Sequence, residues 1–304
     1  MNRIKTAVLY FVIALLTGGT LLAASLTEKE TALRLQSGEQ PKIGKAPLKL
    51  VVGVNDIYCK DSSCKCIEHI ATRQYAEFLR ALKERYNIDL QFVYMIEPYD
   101  LDKAFVAGKY DAVLAKPWLV FHRPEGRSTQ MVRVADLQDF ERNTSLWGVV
   151  IVPQASPIKK LSDISGRRVA YGQTDAYEKH QGALALFQRE GIKIAADKRI
   201  ERASCLECLD LLMKGEADVA VISNYALTAD CAVDVTTPEA WRVIGQTEKI
   251  PLTSFMIDLK RVSRDDAWRL QRALIELSAQ SLPKSMCGGG FVEAVSWKIP
   301  RATP

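Results

Sequence analysis

Seven cysteines and three histidines stand in this chain of 304 residues, and most of the cysteines fall in tight groups. Cys59, Cys64 and Cys66 share one short stretch with His69 just beyond it. Cys205 and Cys208 open an apolar run, Cys231 follows a strand pattern, and Cys287 precedes Gly288-Gly289-Gly290. Thiols grouped in this way pair as disulfides, ligate a soft metal or carry out redox exchange. No complete spacing for structural zinc is present, even counting His69 or His180. Cys205-Leu206-Glu207-Cys208 is followed by Leu209, which excludes the haem-attachment pattern. Disulfides that fix mobile loops are therefore the expectation, with all seven cysteines as candidates. The odd count leaves at least one thiol free, liganded or paired with another molecule, and a metal or redox site is the competing reading.

A second set of residues lies just after strand patterns, where open parallel sheets hold their ligands. Asn55, Asp56 and Tyr58 follow the first such pattern and are candidates by position alone. Lys116 and Trp118 follow the third, and Tyr225 follows the corresponding strand of the second half. Lys116 suits an anion, while Trp118 and Tyr225 suit stacking on or enclosing a ligand. A solvated surface for Lys116 and core packing for Trp118 are the plainer alternatives. The segment from Gln173 to His180 opens a helix after another strand and brings Thr174, Asp175, Tyr177 and Glu178 to the same edge. Asp175 reads as a helix N-cap, with Glu178 as its capping-box or dipole partner. Enzyme signatures are absent: there is no nucleophile elbow, phosphate-cradling glycine loop or two-histidine helix motif. The expectation is a protein that is not an enzyme, with no cofactor and no metal site.

The elements that must position these residues alternate. Strand patterns cover 48–54, 89–96 and 110–115, separated by helical spacing over 66–85 and 101–107. After a strand at 147–153 and a short helix at 158–164, the alternation repeats: strand 169–172, helix 177–190, segment 193–200, helix 206–214 and strand 219–223. A strand at 250–259 and a helix at 264–278 follow. Strands alternating with helices predict parallel sheets with right-handed crossovers. GKYDAVLAKP and GEADVAVISN are matching pieces of the two halves, as a duplicated lobe or ordinary αβ grammar produces. The predicted fold is α/β and two-lobed, with two mostly parallel sheets, flanking helices and two crossing strands. Residues 47–145 plus 252–304 form one lobe and 146–251 the other.

Composition bounds the function. An apolar fraction of 48% with 25% charged residues excludes a disordered chain and a polytopic membrane protein. The N-terminus carries Arg3 and Lys5, then an uncharged run from Thr6 to Leu26 ending in small residues, which predicts a signal peptide over 1–24. An uncleaved membrane anchor is the alternative. No cysteine follows the run, which argues against a lipid anchor. Cleavage takes two positive charges from a formal net charge of +5, leaving a balance too weak for a nucleic-acid partner. Residues 25–46 are polar and read as a linker before the fold.

LKLVVGV, GKYDAVLAKP, LSDISGRRVAYG, GEADVAVISN and IPLTSFMIDL together resemble the two-lobed (type 2) periplasmic solute-binding proteins, in particular the phosphate, phosphite and phosphonate binding components of ABC importers. LSDISGRRVA matches the entry into the second lobe of that family closely. The resemblance implies a periplasmic protein that closes its lobes on a small polar ligand, an oxyanion or phosphonate-like solute, and delivers it to an inner-membrane ABC permease. It also implies that Thr174 and the helix start after it contact anionic oxygens. Asp175 and Glu178 depart from the family's Ser- and Thr-rich loop, since carboxylates repel a bound phosphonate. The alternative is a binding-protein fold reused as an accessory or sensor for a periplasmic redox enzyme or other system, with a periplasmic enzyme as partner.

Overall fold

The computed structural model describes residues 31–34, 44, 46–63, 70–121, 130–174, 176–227 and 237–299. The proposed signal peptide lies outside them. The first sheet starts from three parallel strands: β1 (Leu48–Val54), β2 (Ile88–Tyr94) and β3 (Ala112–Ala115). Helix α1 (Ala76–Tyr86) links β1 to β2, and α2 (Pro98–Val106) links β2 to β3. Asn87 ends α1 in the left-handed conformation, and Pro98 opens α2 where a missing N–H is harmless. The short helix α3 (Pro117–Phe121) follows β3.

Three further strands complete this sheet by antiparallel pairing, in the order β13-β4-β12-β3-β1-β2: β4 (Met131–Leu137), β12 (Thr253–Asp258) and β13 (Phe291–Glu293). Helix α6 (Arg264–Ser281) lies against it and contributes Leu270, Leu274 and Leu277 to the core. The second sheet, in the order β10-β6-β9-β7-β8, joins β6 (Gly148–Pro153), β7 (Val169–Tyr171), β8 (Arg199–Glu201), β9 (Val219–Ser223) and β10 (Trp241–Gln246). Helices α4 (Gln181–Arg189) and α5 (Cys205–Met213) supply its two cores. As in the first sheet, the crossover strands β7, β8 and β9 pair in parallel, and the strands next to the lobe crossings pair antiparallel. This is the two-lobed α/β fold that the sequence predicts, but the sheets are mixed rather than mostly parallel, because every strand adjoining a lobe crossing pairs antiparallel.

The crossing itself is narrower than expected. The strand pattern at 147–153 belongs to the second sheet and most of 250–259 to the first. The lobes are joined through a ribbon of β5 (Ser145–Leu146) paired with β11 (Ile250–Pro251).

Three other differences have local causes. Of the helix predicted over 66–85, residues 66–69 lie outside the described residues, 70–75 are not helical and α1 begins at Ala76, because Arg73 is drawn back toward the loop after β1. Its N–H donates to the Tyr58 carbonyl, and its guanidinium meets Asp56 at 2.8 Å. The helix predicted over 177–190 breaks at His180: Gly172 N–H bonds the Lys179 carbonyl, and the His180 Nδ1 lies 2.6 Å from the Gly172 carbonyl oxygen. Within the expected linker, Thr31, Ala32 and Leu33 are buried against β4, with Leu33 N–H on the Arg133 carbonyl at 2.8 Å.

The expected disulfides do not form among the described cysteines. Cys59, Cys205, Cys208 and Cys287 are free thiols, and Cys64, Cys66 and Cys231 lie outside the described residues. The reason is placement. Cys59 packs in the core of the first lobe, Cys208 in that of the second, and Cys287 sits 3.0 Å from the Thr72 hydroxyl.

Candidate ligand-binding site between the lobes

Strands β3, β7 and β9 end toward the inter-lobe contact, and the residues just past each end meet there. Lys116 leaves β3 in the first lobe, and Glu178 leaves the turn after β7 in the second. Lys116 Nζ stands 3.0 Å from Glu178 Oε1, with the lysine side chain 14% exposed and the glutamate fully buried. Ser223, the last residue of β9, donates its hydroxyl to the same oxygen at 2.6 Å. Oε2 of Glu178 is buried and has no hydrogen-bond partner among the described residues. Burial works against the Glu178 carboxylate, but Lys116, Lys179 and the Ser223 hydroxyl outweigh it and hold it below the ordinary glutamate range.

The backbone around Glu178 is fixed by two glycines and a threonine. A Cβ on Gly148 would overlap the Glu178 carbonyl, and one on Gly172 would overlap the side-chain stem of Lys179. Thr247 Oγ1 accepts from Gly148 N–H at 2.7 Å and donates to the Glu178 carbonyl at 3.1 Å. This lock places Lys179 with Glu178 in the interior. The Lys179 ammonium donates to the Cys205 sulfur at 3.7 Å. The Tyr225 ring lies 5.7 Å from Lys116 Nζ, and burial, reinforced by Cys205, raises the Tyr225 hydroxyl well above the ordinary tyrosine range.

An apolar wall adjoins these charges. Trp118 and Tyr177, one from each lobe, meet at a ring-centroid distance of 4.3 Å, and the Trp118 indole N–H donates to the Thr174 carbonyl at 3.3 Å. Tyr58, Leu146, Ile250, Leu252 and Trp297 pack into the same cluster, so the crossing ribbon is part of the wall.

The predicted residues therefore separate. Lys116, Trp118, Tyr177 and Tyr225 converge on the inter-lobe contact, and Thr174 reaches it through its carbonyl while the residue is exposed. Asn55 does not converge: its amide donates to the carbonyls of Met95 and Ile96 at 2.8 and 3.0 Å, inside the first lobe. Tyr58 packs edge-on to Phe140 at 4.7 Å and contributes its ring to the wall. Asp175 lies outside the described residues. Glu178, expected at a helix cap, is instead the buried acid of the site. Sequence reasoning missed Lys179, Ser223 and Thr247 here. Ser223 carried a signal, since it ends a strand whose following loop was singled out; Thr247 carried none.

The arrangement offers cations, one carboxylate with an unmet oxygen, a hydroxyl and an aromatic wall. It can hold a small polar molecule by charge and hydrogen bonds from both lobes at once. Comparison with known proteins agrees with this architecture. Residues 68–295 match the family model described as ABC transporter, phosphonate, periplasmic substrate-binding protein. No curated protein sequence matches the chain. Among solved structures, XAC2383 from Xanthomonas citri bound to ATP is similar with a TM-score of 0.60 at 15% identity, covering 80% of this chain and 90% of that one. PhnD1 from Prochlorococcus marinus in complex with methylphosphonate gives 0.56 at 11% identity, covering 82% and 93%. The periplasmic aliphatic sulphonate binding protein SsuA from Escherichia coli gives 0.53 at 17% identity, covering 77% and 72%. At these identities the structural likeness speaks to the fold, while the family match spans most of the sequence. The chain belongs to the phosphonate-type periplasmic substrate-binding family of ABC transporters.

Proposed function

We propose that this chain is exported by its N-terminal run and works as a solute receptor. Its lobes, 47–145 plus 252–304 and 146–251, close by rotation at the β5–β11 ribbon over a small polar solute, which is then presented to an inner-membrane permease. One observation carries the reading: a buried carboxylate and two lysines from opposite lobes meet, with Glu178 Oε2 left without a partner among the described residues. Leaving a buried acceptor unmet costs free energy, so a ligand group that donates to Oε2 stabilises the closed form. A fully deprotonated oxyanion, such as sulfate or a sulfonate, cannot do this. The proposed solute class is an anion that also carries a donor, such as an amino or hydroxyl group, with its anionic end toward the lysines.

Calorimetric titration of the mature chain tests this with sulfate and methanesulfonate, which carry no proton at neutral pH, against an ω-aminoalkylsulfonate and an ω-amino acid. Donor-bearing solutes should bind and the bare anions should not, and Glu178→Gln should reduce that preference at least about tenfold. Equal binding of both kinds, or an unchanged preference in Glu178→Gln, overturns the assignment. A second reading, an accessory or sensor protein, is favoured by the self-contained pairing of Lys116 with Glu178 and Trp118 with Tyr177 across the lobes. It gains if no small solute produces heat while the free protein is already compact in solution scattering.

A further inference from the structure

Cys205-Leu206-Glu207-Cys208 opens helix α5 behind a Ser204 cap whose hydroxyl accepts from Glu207 N–H at 3.1 Å. The two sulfurs have opposite surroundings. Cys205 is half-buried, and its Sγ accepts from Ser223 N–H at 3.4 Å and from the Lys179 ammonium at 3.7 Å. Cys208 is fully buried one turn further on, where its thiol donates to the Tyr171 carbonyl at 3.4 Å. Burial, reinforced by Cys205 and only partly offset by Lys179, pushes the Cys208 thiol up to about 12.

Lys179 makes the asymmetry meaningful. An ammonium that is only 6% exposed needs a negative partner, because a buried unpaired charge is strongly unfavourable. Its hydrogen bond among the described residues goes to a sulfur. Burial opposes its charge, but Cys205, Tyr225 and Glu178 outweigh that and keep it protonated. Lysine and helix N-terminus are thus both placed to receive the negative charge that the Cys205 sulfur carries when it attacks. Residues three apart on a helix face one another with Cβ atoms roughly 5–6 Å apart, against about 3.5–4.5 Å in a disulfide. A slight tightening of the first turn therefore bridges them.

We propose that Cys205 and Cys208 form a thiol–disulfide exchange site, placed beside the inter-lobe cluster, whose substrates are small or peptide disulfides. The Cys205 sulfur attacks one sulfur of R–S–S–R; a bond forms between them, the S–S bond breaks, and R–S⁻ leaves. Cys208 passes its proton to that leaving thiolate and attacks the Cys205 sulfur. The second R–S⁻ leaves and takes up the proton that Cys205 released. The protein dithiol is oxidised to one disulfide and the substrate is reduced to two thiols. Lys179 acts as a positioning residue that stabilises charge on Cys205.

The test uses the full mature chain, reduced and then desalted. Iodoacetamide labelling read by mass spectrometry should modify Cys205 at least about tenfold faster than Cys287, the other half-buried thiol among the described cysteines. Lys179→Met should remove most of that advantage, and Lys179→Arg, which keeps the charge, should restore it. With oxidised glutathione, peptide mapping should find the Cys205–Cys208 bond, Cys208→Ser should stop at glutathione attached to Cys205, and Cys205→Ser should leave Cys208 unmodified. Labelling of Cys205 no faster than Cys287, or oxidation that joins Cys205 to any cysteine other than Cys208, overturns the proposal. If the lysine variants melt early, the glutathione series on the cysteine variants still decides.

Discussion

Replacing Lys116 by Met should loosen the lobes without unfolding either of them. In the closed arrangement the substitution strips Glu178 of its nearest cation while leaving its carboxylate fully buried. At 3.0 Å, an effective dielectric of about 20 puts the lost attraction near 5 kcal/mol, and breaking one side of a buried pair typically costs about 3–5 kcal/mol. Lys179 still acts on Glu178, so the lower end, about 3 kcal/mol, applies. When the lobes part, Glu178 is hydrated and the penalty vanishes. The loss therefore falls on the closed form alone and shifts the closed-to-open ratio by roughly a hundredfold. Small-angle scattering reads this as a larger radius of gyration for Lys116→Met than for the parent, while thermal melting of each lobe's core stays close to it. Adding Glu178→Gln removes the orphaned charge and should return the scattering most of the way. Scattering unchanged in the single variant, or no recovery in the double variant, refutes the claim that this pair holds the lobes together.

Two further expectations follow from buried charge. Because the Glu178 carboxylate is held below its ordinary range, its contribution is complete above the unfolded value and is lost as pH falls through the depressed folded one; melting temperatures from about pH 6 to about pH 3 should fall more steeply for the parent than for Glu178→Gln, and parallel curves would contradict this. In the first lobe, Arg73→Met strands Asp56, which is fully buried and bonded at 2.8 Å by both Arg73 and the Tyr75 hydroxyl; urea unfolding should show a loss of about 3–5 kcal/mol, and a loss under 1 kcal/mol would mean the loop after β1 is anchored elsewhere.

What could be read from the sequence follows from where charge is buried. Strands β3, β7 and β9 are almost wholly apolar, and β1 is apolar apart from the exposed Lys49, so the pattern alone locates them and the loops beyond. Lys116, Trp118 and Tyr225 are legible in this way as residues that reach the inter-lobe contact. Strand β4 is not, although it sits between β13 and β12 in the first sheet. Its sequence, MVRVADL, carries Arg133 and Asp136, both wholly buried and paired at 2.8 Å, with Arg133 also over the Trp297 ring at 5.6 Å. Charges that satisfy each other inside a sheet break the polar-outside pattern on which strand assignment depends. Glu178 was misread, and Lys179 missed, for the same reason. An acid at the start of a helix suggests capping, because the partners Lys116, Ser223 and Cys205 are roughly 25 to 60 residues away and meet Glu178 and Lys179 only once both sheets have formed. The cysteines show the limit from the other side. Grouping in sequence suggested staples, but Cys205 and Cys208, three apart, point to different partners, one toward Lys179 and Ser223 and the other toward the Tyr171 carbonyl. Spacing places two thiols in one helical turn; only the packing around that turn separates an attacking sulfur from a resolving one.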